Sequence, residues 1–192
     1  MGQKECVMPI HKPDSREFLF FFLCGVITSV PITLFIDNLA NPLLTGLSNN
    51  AATLISVALF APFIEEFSKI FPLYYRHGET ERSIMQLALA VGFGFGLVEM
   101  LTYVSVYGIG ILPLRLTGLV FHPASASISA YGIAAKKPLQ FYLLAVLLHF
   151  ANNFLAVTVT LPVSISILVV GAAVWISWML YHRTTEKFIS KD

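Results

Sequence analysis

The chain has 192 residues, of which 56% are hydrophobic and only 12% are charged, and its mean hydropathy is +0.76. Soluble domains carry about 25% charged residues, so this composition excludes a soluble enzyme and predicts an all-α, multi-pass protein of the cell membrane. The net charge of +1 comes with no basic patch, so the expected surroundings are a lipid bilayer and no nucleic acid.

Six apolar segments follow one another along the chain, and each is long enough to cross the ~30 Å hydrocarbon core as a helix. They are expected near residues 18–36, 51–75, 84–107, 116–135, 139–160 and 164–181, within a single domain over residues 1–192. The first segment is too long for the apolar part of a signal peptide, so it is expected to stay as an anchor. Loops are predicted at 37–50, 76–82 and Gly108–Arg115.

Lysine and arginine residues outside these segments are concentrated on one side if the segments alternate in direction. Ten lie in the two tails and in the loops on the same side, whereas only Arg115 lies on the opposite side. Cytoplasmic loops of membrane proteins carry such an excess. Both termini are therefore predicted to be cytoplasmic.

The second segment carries Glu65, Glu66 and Lys69 in the middle of its apolar run. A charged side chain at membrane depth costs roughly 2.5–3.5 kcal/mol even on insertion scales, so these groups need partners. Their spacing places them on one face of a helix, where Lys69 is expected to be the counterion of the glutamates. Pro62 and Pro72 flank the charges and are expected to bend the helix.

The next three segments each present a stripe of small and polar residues at helical spacing. The stripes are Gly92, Phe95, Gly96 and Glu99, then Gly118, His122, Ser125 and Ser129, then Ala145, His149, Asn152, Asn153 and Ala156. Small residues let helices approach closely, so segments two to five, about residues 51–160, are predicted to form the core. The first and sixth segments are expected at the periphery. The serines are expected to bond backbone carbonyls, and Asn152 is either interhelical hydrogen-bond glue or part of a site.

Five ionisable groups at one depth (Glu65, Glu66, Glu99, His122 and His149) predict a functional site. A glutamate could act as the general base that activates a water molecule. Nearby histidine and amide groups could donate hydrogen bonds to the oxyanion that forms during the reaction. Glu65, Glu99, His122 and His149 could equally bind zinc. No HExxH motif, intramembrane aspartate or GxS-type nucleophile motif is present. A proton- or cation-coupled carrier, or a scaffold that binds membrane helices, would also use such a cluster.

Four short motifs occur in order on segments two to five. They are Glu65-Glu66-x-x-Lys69, Phe95-x-x-x-Glu99, Arg115 followed by His122, and His149-x-x-x-Asn153. Together they resemble the PrsW family of intramembrane proteases, within the wider superfamily of type II CAAX prenyl endopeptidases and Abi/CPBP proteins.

The resemblance implies hydrolysis of a peptide bond in a single-span membrane protein by a glutamate-activated water, without a cofactor or, in a metalloprotease version, with zinc. Glu65 would be the base and Glu66 would support it. His149 and Asn153 would stabilise the oxyanion, and His122 would position water or substrate. Lys69 and Glu99 stand where the CAAX branch has Arg and His, which favours an anti-sigma-factor-like substrate over a prenylated CAAX protein.

Overall fold

The computed structural model describes residues 12–75, 80–158 and 162–189. Within these ranges the chain forms helices and no strand, apart from one isolated bridge between Thr80 and Phe188. The all-α prediction is therefore confirmed. Parts of the predicted tails and most of the predicted turn at 76–82 lie outside the described residues.

Seven α-helices follow one another, with a π-helical segment between the second and third. The helices are α1 (Ser15–Ala40), α2 (Asn49–Thr53), the π-helix (Leu54–Phe60), α3 (Ala61–Tyr75), α4 (Glu81–Tyr107), α5 (Leu112–Ala134), α6 (Pro138–Thr158) and α7 (Pro162–Tyr181). Short 3-10 turns lie at Asn41–Leu44 and Ile109–Ile111. Among the described residues, three stretches are long and apolar enough to cross a membrane: α4, Ile109–Ala134 and α6. The count of six spans stays a prediction.

The predicted loop at Gly108–Arg115 was wrong in its second half, because α5 already begins at Leu112. Pro113 lies in the first turn of α5, where its fixed φ suits a helix start and its missing N–H is not needed. Gly108 ends α4 with a φ of 80°, a conformation that glycine adopts without a steric penalty. Arg115 is consequently a helical residue near the start of α5.

The expected bend at Pro62 takes the form of a widened helical turn. In the π-helix before it, the Ala61 N–H donates to the carbonyl of Ser56, five residues back. Pro62 has no N–H, and in a regular α-helix its ring would clash with the carbonyl four residues earlier. The wider turn relieves this clash and leads the chain from α2 through the π-helix into α3 without a break.

Helix α4 lies between α1 and α5, and glycines allow the close approach on both sides. A Cβ atom on Gly25 of α1 would collide with the backbone of Val91, and one on Gly94 would collide with the carbonyl of Phe22. On the other side, Gly92 meets the backbone at His122, and Gly96 faces the His122 ring. The predicted seam along Gly92 and Gly96 is confirmed, and it positions α5 against α4.

The segment after α7, predicted only as a polar tail, packs against the start of α4. The Glu81 N–H donates to the carbonyl of Lys187 at 2.9 Å, and the Thr185 hydroxyl donates to the Glu81 carboxylate at 2.9 Å. The Arg82 guanidinium donates to the carbonyl of Thr184 at 2.8 Å. These hydrogen bonds hold the segment after α7 against the start of α4.

Candidate active site

The polar side chains of segments two to five meet in the interior, on four different helices. They are Glu65, Glu66 and Lys69 on α3, Glu99 on α4, His122 on α5 and His149 on α6. Glu66 and Lys69 are 0% exposed, and Glu65, His122 and His149 are at most 6% exposed. The Glu99 side chain retains 21% exposure. The predicted convergence of these residues is therefore present in the structure.

Lys69 forms the centre of the cluster. Its Nζ lies 2.6 Å from Glu66 Oε1 and 2.8 Å from His122 Nδ1. The Ser125 hydroxyl lies 3.1 Å from the same Glu66 oxygen and 3.1 Å from the carbonyl oxygen of His122, and its single proton can be donated to either acceptor. Lys69 is thus the counterion of Glu66, as predicted, and it also holds His122.

The partners of His149 determine which of its ring nitrogens carries a proton. Its Nδ1 lies 2.8 Å from Glu66 Oε1, and because an ionised carboxylate only accepts hydrogen bonds, we assign the proton to Nδ1. Nε2 then carries a lone pair, and it lies 3.7 Å from Glu65 Oε2. Two acceptors at this separation are close enough for one water molecule to donate a hydrogen bond to each.

His122 carries its proton on the other ring nitrogen, Nε2. An ammonium group only donates hydrogen bonds, so His122 Nδ1 accepts from Lys69 and the proton lies on Nε2. That nitrogen donates to Glu99 Oε2 at 2.6 Å. The other Glu99 oxygen lies 3.3 Å from Arg115 Nη1, and the Arg115 guanidinium stacks 3.3 Å from the centroid of Tyr103. Glu99 therefore links His122 to Arg115.

A cavity of about 200 Å³ connects these groups to one end of the helix bundle. Its inner part contains Glu65, His122 and His149, and its outer part lies where α4 ends and α5 begins. The outer walls are formed by Ser56, Val57, Tyr103, Leu114, Arg115, Asn152, Ala156, Val157 and Ser166. Ser166 belongs to α7, so the sixth predicted segment contributes to the cavity, contrary to the expectation that it is peripheral.

Three of the four predicted metal ligands are placed so that they could hold a metal ion. Glu65, His122 and His149 offer ligand atoms that all lie within 4.8 Å of one another, and this group does not include Glu99. His149 suits the role, because a carboxylate on its other nitrogen orients it as in many metal sites. His122 would first have to release the proton that it shares with Glu99, because a ligand needs a free lone pair.

The two adjacent asparagines of α6 have different surroundings, and both line the cavity. The Asn153 amide donates to the carbonyl of Val57 in the π-helix at 2.9 Å. The oxygen of the Asn152 amide is buried and has no hydrogen-bond partner among the described residues. The family resemblance predicts a role for Asn153, and the sequence leaves two alternatives for Asn152. Arg115 has no predicted role, although it is the one cation predicted on its side of the membrane.

Comparison with known protein families gives a match over most of the chain. A family model described as PrsW family intramembrane metalloprotease matches residues 15–180, which include all seven helices almost completely and every residue of the cluster. Neither the curated proteins nor the solved structures contain a significant match to the chain.

Proposed function

The chain belongs to the PrsW family of intramembrane proteases, and from this premise we propose that it cleaves a membrane-anchored protein with a water molecule activated by Glu65. The observation that carries this mechanism is the pair of acceptors formed by Glu65 Oε2 and His149 Nε2, 3.7 Å apart at the inner end of the cavity. We also propose that the shared motifs place the family within the CAAX/Abi superfamily.

In this mechanism a water molecule donates one hydrogen bond to Glu65 and one to His149. Glu65 takes a proton as the water oxygen attacks the carbonyl carbon of the substrate, and the same proton then passes to the leaving amine as the C–N bond breaks. Glu66 fixes His149 through Nδ1, and Lys69 balances the charge of Glu66. These two residues position the pair without contacting the substrate.

The oxyanion needs a donor that is not already occupied. In the present arrangement His149 Nε2 is an acceptor, and the Asn153 amide donates to Val57. Arg115 lines the cavity and has N–H groups beyond the one that contacts Glu99. We therefore assign stabilisation of the oxyanion to Arg115, while the roles that the resemblance implies for His149 and Asn153 stay predictions.

A single-span membrane protein is the proposed substrate. Lys69 and Glu99 depart from the pattern of the CAAX branch, which favours an anti-sigma-factor-like protein over a prenylated one. The positive-inside bias would place the outer part of the cavity on the side away from the cytoplasm. Cleavage is accordingly proposed to occur near that face.

Replacing Glu65 by glutamine tests the reaction. The variant keeps the size of the side chain and removes the base, so we expect cleavage to be abolished at an unchanged expression level. The measurement is membrane proteomics of cells that carry the wild type or Glu65→Gln, searching for a shortened membrane protein present only with the wild type. Full activity of purified Glu65→Gln would contradict the mechanism, and the absence of any such product would favour the coupled carrier.

Metal removal separates the two versions of the protease. Zinc, when bound, would polarise a water molecule as a Lewis acid. Glu65 and His149 would be ligands of the zinc, and His122 would become a third ligand once it releases its proton. Because Lys69 donates to Nδ1 of His122 and Glu99 accepts the proton on its Nε2, neither ring nitrogen has a free lone pair. We therefore expect full activity after exhaustive chelation, with elemental analysis showing no zinc. Loss of activity that returns on adding zinc would instead establish the metalloprotease version.

A further inference from the structure

Apart from atoms of charged side chains, two buried polar atoms on the cavity wall have no partner among the described residues. They are the Oδ1 atom of Asn152 on α6 and the Oγ atom of Ser166 on α7. Ser166 is only 1% exposed. Leaving a buried polar group unpaired costs about 1–3 kcal/mol, and such groups are rare in folded proteins. Two of them in the lining of one cavity indicate a partner other than the described residues, and a bound substrate would supply one.

Asn152 is well placed to meet a molecule that reaches the water-activating pair. It lies three residues after His149, which corresponds to about 4.5 Å along the helix and to the same face. This displacement is directed toward the outer part of the cavity. An amide that served only to join helices would bond a neighbouring helix, as Asn153 does with Val57, whereas Asn152 Oδ1 has no such bond within the described chain.

A protease that cleaves a membrane span must accept a stretch of unwound backbone. Opening one helical turn releases the N–H and C=O groups of about four residues from their hydrogen bonds. In a bilayer each unsatisfied backbone group costs several kcal/mol. A site that supplies an acceptor and a hydroxyl beside the scissile bond lowers this cost for any substrate sequence.

We propose that Asn152 and Ser166 form a subsite for the unwound backbone of the substrate, next to the peptide bond that is cleaved. Asn152 Oδ1 accepts a backbone N–H, and the Ser166 hydroxyl donates to a backbone carbonyl. The subsite recognises an extended peptide and not particular side chains, so it selects substrates by how readily their helix opens. This inference rests on the proposed function.

The test compares Asn152→Leu and Ser166→Ala with a matched control. Ser129 on α5 also has a buried hydroxyl without a partner among the described residues, but it does not line the cavity, so Ser129→Ala is the control. The first measurement is the ratio of shortened to full-length membrane protein in cells carrying the wild type or one variant. The second is the melting temperature of each purified protein.

We expect Asn152→Leu and Ser166→Ala each to lower cleavage about 5- to 10-fold, the effect of losing one hydrogen bond to the substrate. Their melting temperatures should be unchanged or raised, because the described part of the chain shows no hydrogen bond from Asn152 Oδ1 or Ser166 Oγ that would be lost. Ser129→Ala should cleave like the wild type. A structural role for Asn152 or Ser166 would instead lower the melting temperature together with the activity.

Three results would overturn the subsite. They are cleavage at the wild-type level by both variants, a loss of cleavage that follows a lowered melting temperature, and an equal loss in Ser129→Ala. If the wild type and Glu65→Gln give the same membrane proteins, the proposed function itself fails and the subsite fails with it. The wild type is therefore compared with Glu65→Gln first, so that a failure of the proposed function is distinguished from a failure of the subsite.

Discussion

Lys69 sets the direction of the hydrogen bonds around it. Its ammonium group has three donors and no acceptor, so His122 must accept at Nδ1 and donate from Nε2 to Glu99. Lys69 also neutralises Glu66, which in turn fixes the tautomer of His149. The protonation of both histidines therefore depends on a residue that does not face the substrate.

Replacing Lys69 by methionine should destabilise the protein strongly. The methionine fills a similar volume, but it leaves the 0% exposed Glu66 without its counterion. Removing one partner of a buried ion pair costs about 3–5 kcal/mol, which for a chain of this size corresponds to a fall in melting temperature on the order of 10 °C. The measurement is thermal unfolding of the purified variant in detergent.

The double variant Lys69→Met with Glu66→Gln is the control for this explanation. It removes the uncompensated charge, so part of the lost stability should return even though the ion pair is absent. A Lys69→Met protein that melts at the wild-type temperature would show that the Lys69–Glu66 pair does not stabilise the site.

The sequence predicted which residues meet in the site better than it predicted their individual contacts. Helical spacing and the cost of buried charge are enough to pair Lys69 with Glu66 and to bring Glu65, His122 and His149 together. The division of labour between Asn152 and Asn153 could not be predicted. Neighbouring helical residues differ by about 100° in direction, and only the packed position of the π-helix decides which amide is used within the protein.

The π-helix is the element that connects the backbone to the position of Glu65. It ends at Phe60, and Glu65 follows in the second turn of α3. A π-helical turn contains an additional residue, so its conversion to α-helix would rotate the following side chains by about 100° relative to the preceding ones. The sequence predicted that Pro62 would disturb the helix. It could not predict the form, because a bent helix and a widened turn can both accommodate a proline, which has no N–H.

Asn153 should therefore act on Glu65 through the π-helix. In Asn153→Leu the carbonyl of Val57 loses its donor, so we expect faster hydrogen exchange of the amides in Leu54–Phe60. We also expect cleavage to fall at least 10-fold, because displacement of a catalytic group by about 1 Å can cost on the order of 100-fold in rate. Hydrogen exchange followed by mass spectrometry, together with the cleavage assay, provides both measurements.

Asn152→Leu is the matched control for hydrogen exchange, since it changes the adjacent amide without touching Val57. Exchange in Leu54–Phe60 should stay at the wild-type level in that variant. If Asn153→Leu abolishes cleavage while exchange in this segment is unchanged, Asn153 acts on the substrate directly, as the family resemblance implies.

On the scale of the whole molecule, the sequence predicted the all-helical class and the polar core but not the arrangement around it. The approach of α1 to α4 depends on Gly25 and Gly94, which lie outside the stripes of small and polar residues from which the core was predicted. The fastening of residues 184–188 to the start of α4 depends on bonds between segments about 100 residues apart. Such long-range contacts leave no periodic signal in the sequence.

The orientation of the molecule decides on which side of the membrane the substrate is cut, because the cavity extends toward the turn between α4 and α5. The distribution of lysine and arginine predicts that this turn faces away from the cytoplasm and that the turn between α5 and α6 faces it. Both turns offer a residue that is exposed in the structure, Gly110 in the first and Lys137 in the second. A Cβ on Gly110 meets no atom within 4 Å, so a cysteine fits there.

With Cys6 and Cys24 replaced by serine, a membrane-impermeant maleimide applied to intact cells should label Gly110→Cys and leave Lys137→Cys unlabelled. Lysed cells should label both, which controls for reactivity. The reverse pattern would place the outer part of the cavity in the cytoplasm and would move the site of cleavage to that face. Labelling of both positions in intact cells would mean that the chain inserts in two orientations, contrary to the ten-to-one bias in lysine and arginine outside the predicted segments.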